Sequence, residues 1–331
     1  MKWIACELHT HTFHSDGRQS LLELAKGASE LGFDCIALTD HNTMSGLAER
    51  ESAERETGIT VIPGMEWTTF YGHMVTVGLR RFVDWRQADI RGVGAGAAEV
   101  RRHGGAAGMA HPFRLGSPIC TGCYWEFEVD NWQDLDYVEV WSGTFAPIKA
   151  DNRRAFAFWT DRLNEGVRIA ATSGRDWHEQ SATDEPISVT YLGLEDELAP
   201  VAQEAVRSLK HGRAAITIGP LVTLEAESEG FVYGIGDAIP AARSGQLRIR
   251  VAVDSTVRAG KWELAARNCK LVLTGSTGTV AERMLEGPNG SVDACSFTVS
   301  DGGLRWIRAE LWGEFRGARM MIAFTNAIYL D

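Results

Sequence analysis

The sequence has no long apolar run: no stretch approaches the ~20 consecutive apolar residues that a membrane-spanning helix needs. We therefore expect a chain that does not cross a membrane. The first residues, MKWIACELHTHT, pass directly into polar, chemistry-bearing side chains, which leaves no room for a signal peptide. The six cysteines show no pairing framework, which favours a reducing compartment and predicts a cytoplasmic protein.

Runs of lysine or arginine are also missing, and the formal net charge of the 331-residue chain is −11. Because binding of duplex nucleic acid needs a basic face, we do not expect such a partner. A small anionic substrate is a better candidate, provided that bound metal ions and a few arginines make the local potential positive. The apolar fraction of 44% is enough for a full core, in one large domain or in two.

Up to about residue 219, short β-rich runs alternate with helical stretches. One helical stretch begins at Ser20, with Glu23 three residues later, which is the pattern of a capping box. Alternation of strand and helix favours a parallel sheet or barrel covered by helices. The predicted strands are Trp3–His9, Cys35–His41, Ile59–Trp67, His73–Leu79, Ala106–Pro112, Tyr137–Gly143, Arg168–Asp176, Ile187–Leu194 and Ala214–Gly219.

From about residue 220 the helical period disappears, and strand-like segments follow that are separated by Gly, Ser and Asn clusters. These segments are LVTLEAES, QLRIRVAVD, KLVLTG, SFTVSD, RWIRAELWG and MMIAFTNAIYL. We predict an α/β domain over residues 1–219 and an all-β sandwich domain over residues 220–331. The second domain contains no histidine and no acid cluster at ligand spacing, so we expect every metal ligand in the first.

Six of the nine histidines lie at or just beyond predicted strand ends, and four of these six stand beside an acid, a glycine or a proline. His9 and His11 form a His-x-His pair, and alternate residues of a strand face the same way, so both imidazoles can reach one ion. Loops at the carboxyl ends of barrel strands converge on one mouth, which brings distant residues together. One such motif can be incidental, but its repetition at five strand ends predicts a centre for Zn, Mn or Fe. The other polar residues at strand ends are Asp16, His41, Glu66, His73, His111, Asp176 and His178.

The series HTHTFHSDG, ALTDHNT, GMEW…GHMVTVGL, MAHPF and SGRDWH resembles the PHP (polymerase and histidinol phosphatase) metallohydrolases, whose four motif regions are present in order. The segments EWTTFYGH, SPICTGCYWEF and FTNAIYL are similar to one branch of that family, the carbaryl-hydrolase-like metallohydrolases. The resemblance covers most of the chain, including the β domain. It implies a distorted (β/α)7 barrel of PHP type that holds two or three divalent ions.

The resemblance also implies overlapping groups of ligands, in which Glu66 bridges two ions and Asp176 can bridge to a third. The three groups are His9, His11, Glu66 and Asp176; Glu66, His73 and His111; and Asp16, His41 and His178. Asp40 is expected to orient a liganding imidazole from behind.

Adjacent ions can lower the pKa of a shared water and supply hydroxide as the nucleophile, while they stabilise negative charge in the transition state. Proton transfer to the leaving group is expected from Asp176 or His178, and the sequence does not choose between them. Guanidinium groups near a metal site suit phosphate oxygens, and the candidates are Arg18, Arg114 and Arg175. Arg114 is favoured because phosphoesterase relatives carry an arginine at a similar place after the His-Pro pair.

Three functions are compatible with these residues. The first is hydrolysis of a phosphoester in a small phosphorylated molecule or short oligonucleotide. The second is hydrolysis of a carbamate, ester or amide, toward which the branch resemblance points, since the ions can polarise a carbonyl equally well. The third is a non-catalytic binding module, against which the intact ligand set argues.

Cys120 and Cys123 form a C-x-x-C without a second pair, so they predict a structural loop over the mouth of the site.

Overall fold

The computed structural model describes residues 1–116, 122–243, 245–285 and 291–331. Within these ranges the chain forms five α-helices and nineteen β-strands. The helices are α1 (Leu21–Glu30), α2 (Arg50–Thr57), α3 (Val93–Arg102), α4 (Ala150–Asn164) and α5 (Val201–Lys210).

The nine strands predicted before residue 219 are all present, with ends that differ by a few residues. They are β1 (Lys2–Thr10), β2 (Cys35–Leu38), β3 (Thr60–Thr68), β4 (His73–Val77), β5 (Ala106–Met109), β6 (Tyr137–Ser142), β7 (Ala170–Gly174), β8 (Val189–Leu194) and β9 (Ala214–Thr217).

The sheet that these strands form is mixed rather than parallel. β1, β2 and β3 run parallel, β4 lies antiparallel between β3 and β5, and β5, β6 and β7 are parallel again. β8 is antiparallel to β1, and β9 to β8. The parallel arrangement expected from the sequence is therefore right only in part. Residues 69–72, which connect β3 to β4, are too few for a crossover helix, so the two strands form a hairpin that interrupts the (β/α)7 order.

Helix α1 shows how the sequence builds the outer layer. Ser20 accepts a hydrogen bond from the Glu23 backbone N–H at 3.2 Å, and the Glu23 carboxylate accepts one from the Ser20 N–H at 2.7 Å, which confirms the capping box. Leu21 and Leu24 are fully buried against the sheet, together with Phe33. Each buried leucine contributes roughly 1.5–3 kcal/mol, so the apolar face rather than helix propensity fixes α1 in place.

The C-terminal region, residues 220–331, is built of β-strands, as the sequence predicted, and they pair antiparallel except for the short strands Ala238–Ile239 and Ile328–Leu330, which are parallel. One sheet has the order β11-β10-β13-β16, and the other contains β15, β14, β17 and β18. Their inner faces share one apolar core. The strands are β10 (Leu221–Ser228), β11 (Phe231–Gly234), β12 (Ala238–Ile239), β13 (Gln246–Asp254), β14 (Arg267–Gly275), β15 (Gly278–Met284), β16 (Val292–Ser300), β17 (Trp306–Phe315), β18 (Ala318–Thr325) and β19 (Ile328–Leu330).

The two regions are joined by a continuous sheet. β18 pairs antiparallel with β9, so the strands of the first region continue into the C-terminal region. Asn326, directly after β18, adds a side-chain link to β7: its Oδ1 accepts from the Ala171 N–H at 2.6 Å and its Nδ2 donates to the Ala171 carbonyl at 3.0 Å. The Asn326 amide thus satisfies Ala171 as a neighbouring strand would. The boundary at residues 219 and 220 crosses this shared sheet.

Candidate metal centre

The first and last ligand segments of the site are held together by their backbones. His9 lies in β1 and His11 just beyond it. The Trp177 N–H donates to the His9 carbonyl at 3.0 Å, and the His11 N–H donates to the Trp177 carbonyl at 2.9 Å. The segment around Asp176 is therefore positioned beside the His-x-His pair by main-chain hydrogen bonds.

A first group of possible ligands surrounds the carboxylates of Glu66 and Asp176. His9 Nε2 lies 3.2 Å from Glu66 Oε2 and 3.3 Å from Asp176 Oδ1. His11 Nε2 lies 3.4 Å and 3.0 Å from the same two oxygens. The two imidazoles are fully buried, and so is Glu66. These four residues lie close enough together to hold one ion.

The other carboxylate oxygen of Glu66 faces a second set of imidazoles. His73 Nδ1 lies 2.9 Å and His111 Nε2 3.3 Å from Glu66 Oε1. His41 also reaches Glu66, with Nδ1 2.9 Å from Oε2. The second group whose ligand atoms lie close enough together to hold an ion consists of His41, Glu66 and His73. The resemblance assigned His73, His111 and Glu66 to this ion. The structure brings His41 to the same ion position as well.

A third group lies nearer the surface. His178 Nε2 is 3.1 Å and His41 Nε2 is 3.4 Å from Asp16 Oδ1. His11 completes this group, whereas the resemblance suggested Asp176 as the residue shared with the deeper ion. His11 and His41 thus each belong to two groups. The structure brings all nine predicted ligand residues together.

The donor set fits metal ions, as its unpaired atoms show. Within the described part of the chain, several buried atoms that face one another have no hydrogen-bond partner. They are His9 Nε2, His11 Nε2, Glu66 Oε2 and Asp176 Oδ1. Leaving such groups buried and unpaired is costly, whereas a cation among them would satisfy all four. Imidazole with carboxylate is a donor set typical of Zn, Mn or Fe.

The electrostatics of the cluster lead to the same conclusion. Burial would raise the pKa of Glu66, but the charges of His9 and His41 outweigh it and hold that pKa well below its usual value. Burial would lower the pKa of His41, yet Glu66 and Asp16 raise it to about 10. The carboxylates therefore favour positive charge beside them, which protons on the imidazoles or metal ions can supply.

Glu139 orients one ligand and was not predicted from the sequence. It lies within β6, and its Oε2 is 2.7 Å from His9 Nδ1. A hydrogen bond from Nδ1–H fixes the tautomer of His9 and directs the lone pair of Nε2 toward Glu66 and Asp176. Gly174 allows this approach, because a Cβ there would lie 2.5 Å from His9 Cβ and 2.7 Å from Glu139 Oε2. A strand acid amid apolar neighbours, as in VEVW, was the available signal.

Asp40 has a different role from the one expected. Its Oδ1 accepts from the Thr12 N–H and from the Ser15 hydroxyl, both at 2.7 Å, and its Oδ2 accepts from the Thr12 hydroxyl at 2.7 Å. No imidazole of the described residues bonds to it. Asp40 therefore organises the loop between His11 and Asp16 instead of orienting an imidazole directly.

Two ligand positions have unusual backbone conformations. His111 has φ of 25° and Asp176 has φ of 54°, both in the left-handed region that non-glycine residues rarely adopt. Such positions cost on the order of 1–3 kcal/mol each and persist where the surroundings dictate them. At Asp176 the main-chain bonds of Trp177 to His9 and His11 provide that constraint.

The three arginines proposed for phosphate differ in their placement. Arg114 forms an ion pair with Asp176 Oδ2 through Nη1 and a hydrogen bond with Ser142 Oγ through Nη2. The Arg18 side chain is 80% exposed and 3.3 Å from Glu179, at the rim. Arg175 stacks on Trp177 and lines a separate cavity beside α1, so it is not part of the three ligand groups.

Lys149 is a further cation at this site, and sequence reasoning missed it. Its Nζ lies 3.4 Å from the carbonyl oxygen of Ser142, the same residue whose hydroxyl Arg114 contacts. Burial and the charge of Arg114 lower the pKa of Lys149. A lysine before α4, with no motif around it, carried no signal in the sequence.

The C-x-x-C is described only in part. Cys120 lies outside the described residues, and Cys123 is buried and takes part in a disulfide. Cys6, Cys35, Cys269 and Cys295 are free thiols. A disulfide departs from the expectation that the thiols are reduced, and the compartment stays a prediction.

Comparison with known proteins relates part of the first region to a family. Residues 7–89 match the PHP domain family. An uncharacterized protein of Methanocaldococcus jannaschii is 29% identical over 148 residues, which cover 41% of this chain and 80% of that protein. The 3',5'-nucleoside bisphosphate phosphatase of Chromobacterium violaceum is 30% identical over 105 residues, which cover 30% of this chain and 37% of that enzyme.

One solved structure resembles the whole chain. It is a two-domain protein of Bacteroides vulgatus that contains a predicted PHP-like metal-dependent phosphoesterase. The match covers 99% of this chain and 95% of that protein's chain. The TM-score is 0.55 and the identity 14%, so this likeness concerns the fold alone. Residues 7–89 of this chain thus match the PHP domain family, as the motifs predicted, and the fold combines a mixed α/β, PHP-like region with a C-terminal antiparallel β region. In the part that the structure describes, no helix is long and apolar enough to cross a membrane.

Proposed function

We propose that this chain is a metal-dependent phosphoesterase that acts on a small phosphorylated substrate. The observation that carries the proposal is the position of Arg114, which joins Asp176 of the first ligand group to Ser142, with Lys149 beside Ser142. Two cationic side chains next to a cluster of imidazoles and carboxylates favour a substrate with a compact negative charge. The charge of the whole chain, −11, makes this local concentration of positive groups informative.

The groups of this chain have separate roles in that reaction. His9, His11, Glu66 and Asp176 would hold one ion, with Glu66 shared with a second. When bound, such ions lower the pKa of a water so that it attacks as hydroxide, and they stabilise the charge that develops on the phosphoryl oxygens. Arg114 binds and orients the phosphate through its guanidinium plane. Asp176 and His178 remain the two candidates for proton transfer to the leaving group.

A hydrolysis screen tests the class of substrate. Phosphomonoesters, phosphodiesters, carboxyl esters and carbamates are compared with Mn, Zn and Fe, alongside elemental analysis of the purified protein. We expect turnover of a phosphoester and at least two ions per chain. Turnover of a carbamate or ester alone would support the alternative function, for which the similarity of EWTTFYGH to the carbaryl-hydrolase-like branch is the reason.

Replacement of Arg114 tests whether this side chain binds the phosphate of the substrate. Arg114→Ala should slow phosphoester turnover by roughly 30- to 160-fold, because a charge-assisted hydrogen bond contributes about 2–3 kcal/mol. Arg114→Lys should restore only part of the rate, since an ammonium cannot make two parallel contacts. Arg319→Ala, an exposed arginine on β18, is the matched control. Equal losses on a phosphate ester and on a neutral ester would make Arg114 a structural partner of Asp176.

A further inference from the structure

A cavity lined by both charged and apolar residues lies at the opposite end of the first region from the metal centre. Its volume is about 420 Å³. Pro63, on its wall, precedes Glu66 in β3, and Gly104, also on its wall, precedes β5, whereas His111 follows that strand. The cavity and the metal centre are thus at opposite ends of the same strands, and α5 forms one side of the cavity.

The described residues that line this cavity carry positive charge and no negative charge. Neither aspartate nor glutamate is among them. Four lining residues are permanent cations, and His211 lies beside them: Arg50, Arg80, Arg207 and Lys210. In a chain with 44 acidic and 33 basic side chains, such a lining is contrary to the overall balance. It favours an anionic ligand over a neutral or cationic one.

Arg80 and Lys210 are the two cations whose charge is least compensated. Lys210 Nζ donates to the Gly104 carbonyl at 3.3 Å, and Arg80 Nε lies 3.3 Å from the place of a Cβ on Gly104. Among the described residues, no carboxylate lies within 4.0 Å of either one, and the carboxylate on which the charge of Lys210 acts from farther away is that of Asp136. Arg50, by contrast, lies 3.0 Å from Glu54. Two like charges around one glycine repel each other unless an anion lies between them.

The remaining wall of the cavity is apolar apart from Gln203. Ile62, Pro63, Ala202 and Val206 face it. The volume falls within the range of about 300–1,000 Å³ that is usual for small-molecule sites. We propose that this cavity is a second binding site, separate from the metal centre, for a small molecule that carries a phosphate group. Arg80 and Lys210 bind the phosphate, and the apolar wall contacts the organic part.

Calorimetry with inorganic phosphate as the probe tests this site at low ionic strength. The metal-loaded protein should bind phosphate at two classes of site, and the metal-free wild-type protein should keep one of them. In the metal-free protein, Arg80→Gln and Lys210→Gln should each weaken the remaining binding by about tenfold or more, as loss of a charge-assisted contact predicts. Arg319→Gln is the control and should leave it unchanged. Hydrolytic turnover by the metal-loaded Arg80 and Lys210 variants should stay at the wild-type level.

Several results would overturn the proposal. One is the absence of phosphate binding to the folded, metal-free wild-type protein. Another is a loss in the Arg319→Gln control as large as in the two cavity variants, which would indicate nonspecific attraction. Circular dichroism shows whether each variant is folded. If one of the two variants does not fold, the other decides, and unchanged binding there contradicts the assignment.

Discussion

Replacing Glu139 by glutamine removes a charge and keeps the shape of the side chain, so it isolates what this carboxylate does for His9. Glu139 is 2% exposed, and its contact with His9 Nδ1 is 2.7 Å long. A carboxylate can only accept from Nδ1–H, which leaves Nε2 free to bind a metal. An amide can either accept or donate at that position. When it donates, the proton moves to Nε2 and points into the ligand group.

The expected cost is a ten- to hundredfold loss of metal affinity, about 1.4–2.8 kcal/mol, the usual effect of losing a group that orients a liganding imidazole. Competition against a chromophoric chelator measures it, with Zn or Mn as the ion. Glu128→Gln is the matched control, because that carboxylate is exposed and pairs with Arg91. Unchanged affinity in Glu139→Gln would refute the reasoning and mean that packing against Gly174 alone orients the ring.

The remaining predictions concern the carboxylates, the pH dependence and the junction of the regions. Glu66→Ala or Asp176→Ala should leave less than about a tenth of the hydrolytic rate, with an unchanged circular dichroism spectrum; greater activity would contradict the ligand groups. Because the pKa of His41 is about 10, the metal-free protein holds this proton at pH 7, so metal binding should release protons and weaken as pH falls. Calorimetry in buffers of different ionisation enthalpy would count the protons that metal binding releases, and a count of zero would contradict this prediction. Asn326→Ala should lower the free energy of unfolding by about 2–4 kcal/mol, because it leaves the amide and carbonyl of Ala171 buried and unpaired. Denaturant titration measures this change, and a loss below about 0.5 kcal/mol would show that Ala171 finds other partners.

The sequence was most informative at the strand ends. Local signals are strong there: His9 and His11 alternate on one strand, and polar residues interrupt apolar runs, so the region of the site could be predicted before its geometry. The sharing of His41 between two ligand groups could not be predicted in this way, because it depends on the distance between the ends of β2 and β3. That distance is set by sheet register rather than by local pattern.

Long-range pairing limited the prediction of the fold. The periodicity that revealed β9 and β18 says nothing of their being neighbours, since more than a hundred residues separate them. The hairpin of β3 and β4 was visible only as a short connection. Lys149 and Glu139 were missed because a charge inside a helix start or a buried strand has many structural explanations, and only the fold shows which group it faces.

The Asn326 link has a thermodynamic consequence for the whole chain. It attaches β7 to the C-terminal region, and Asp176 lies two residues beyond the end of β7. Anything that favours the native position of β7 therefore favours both the ligand group and the seam with the second region. Such coupling is reciprocal. Ions bound by Asp176 should slow hydrogen exchange and proteolysis near β18, and a change that loosens β18 should weaken the binding of these ions by the same free energy.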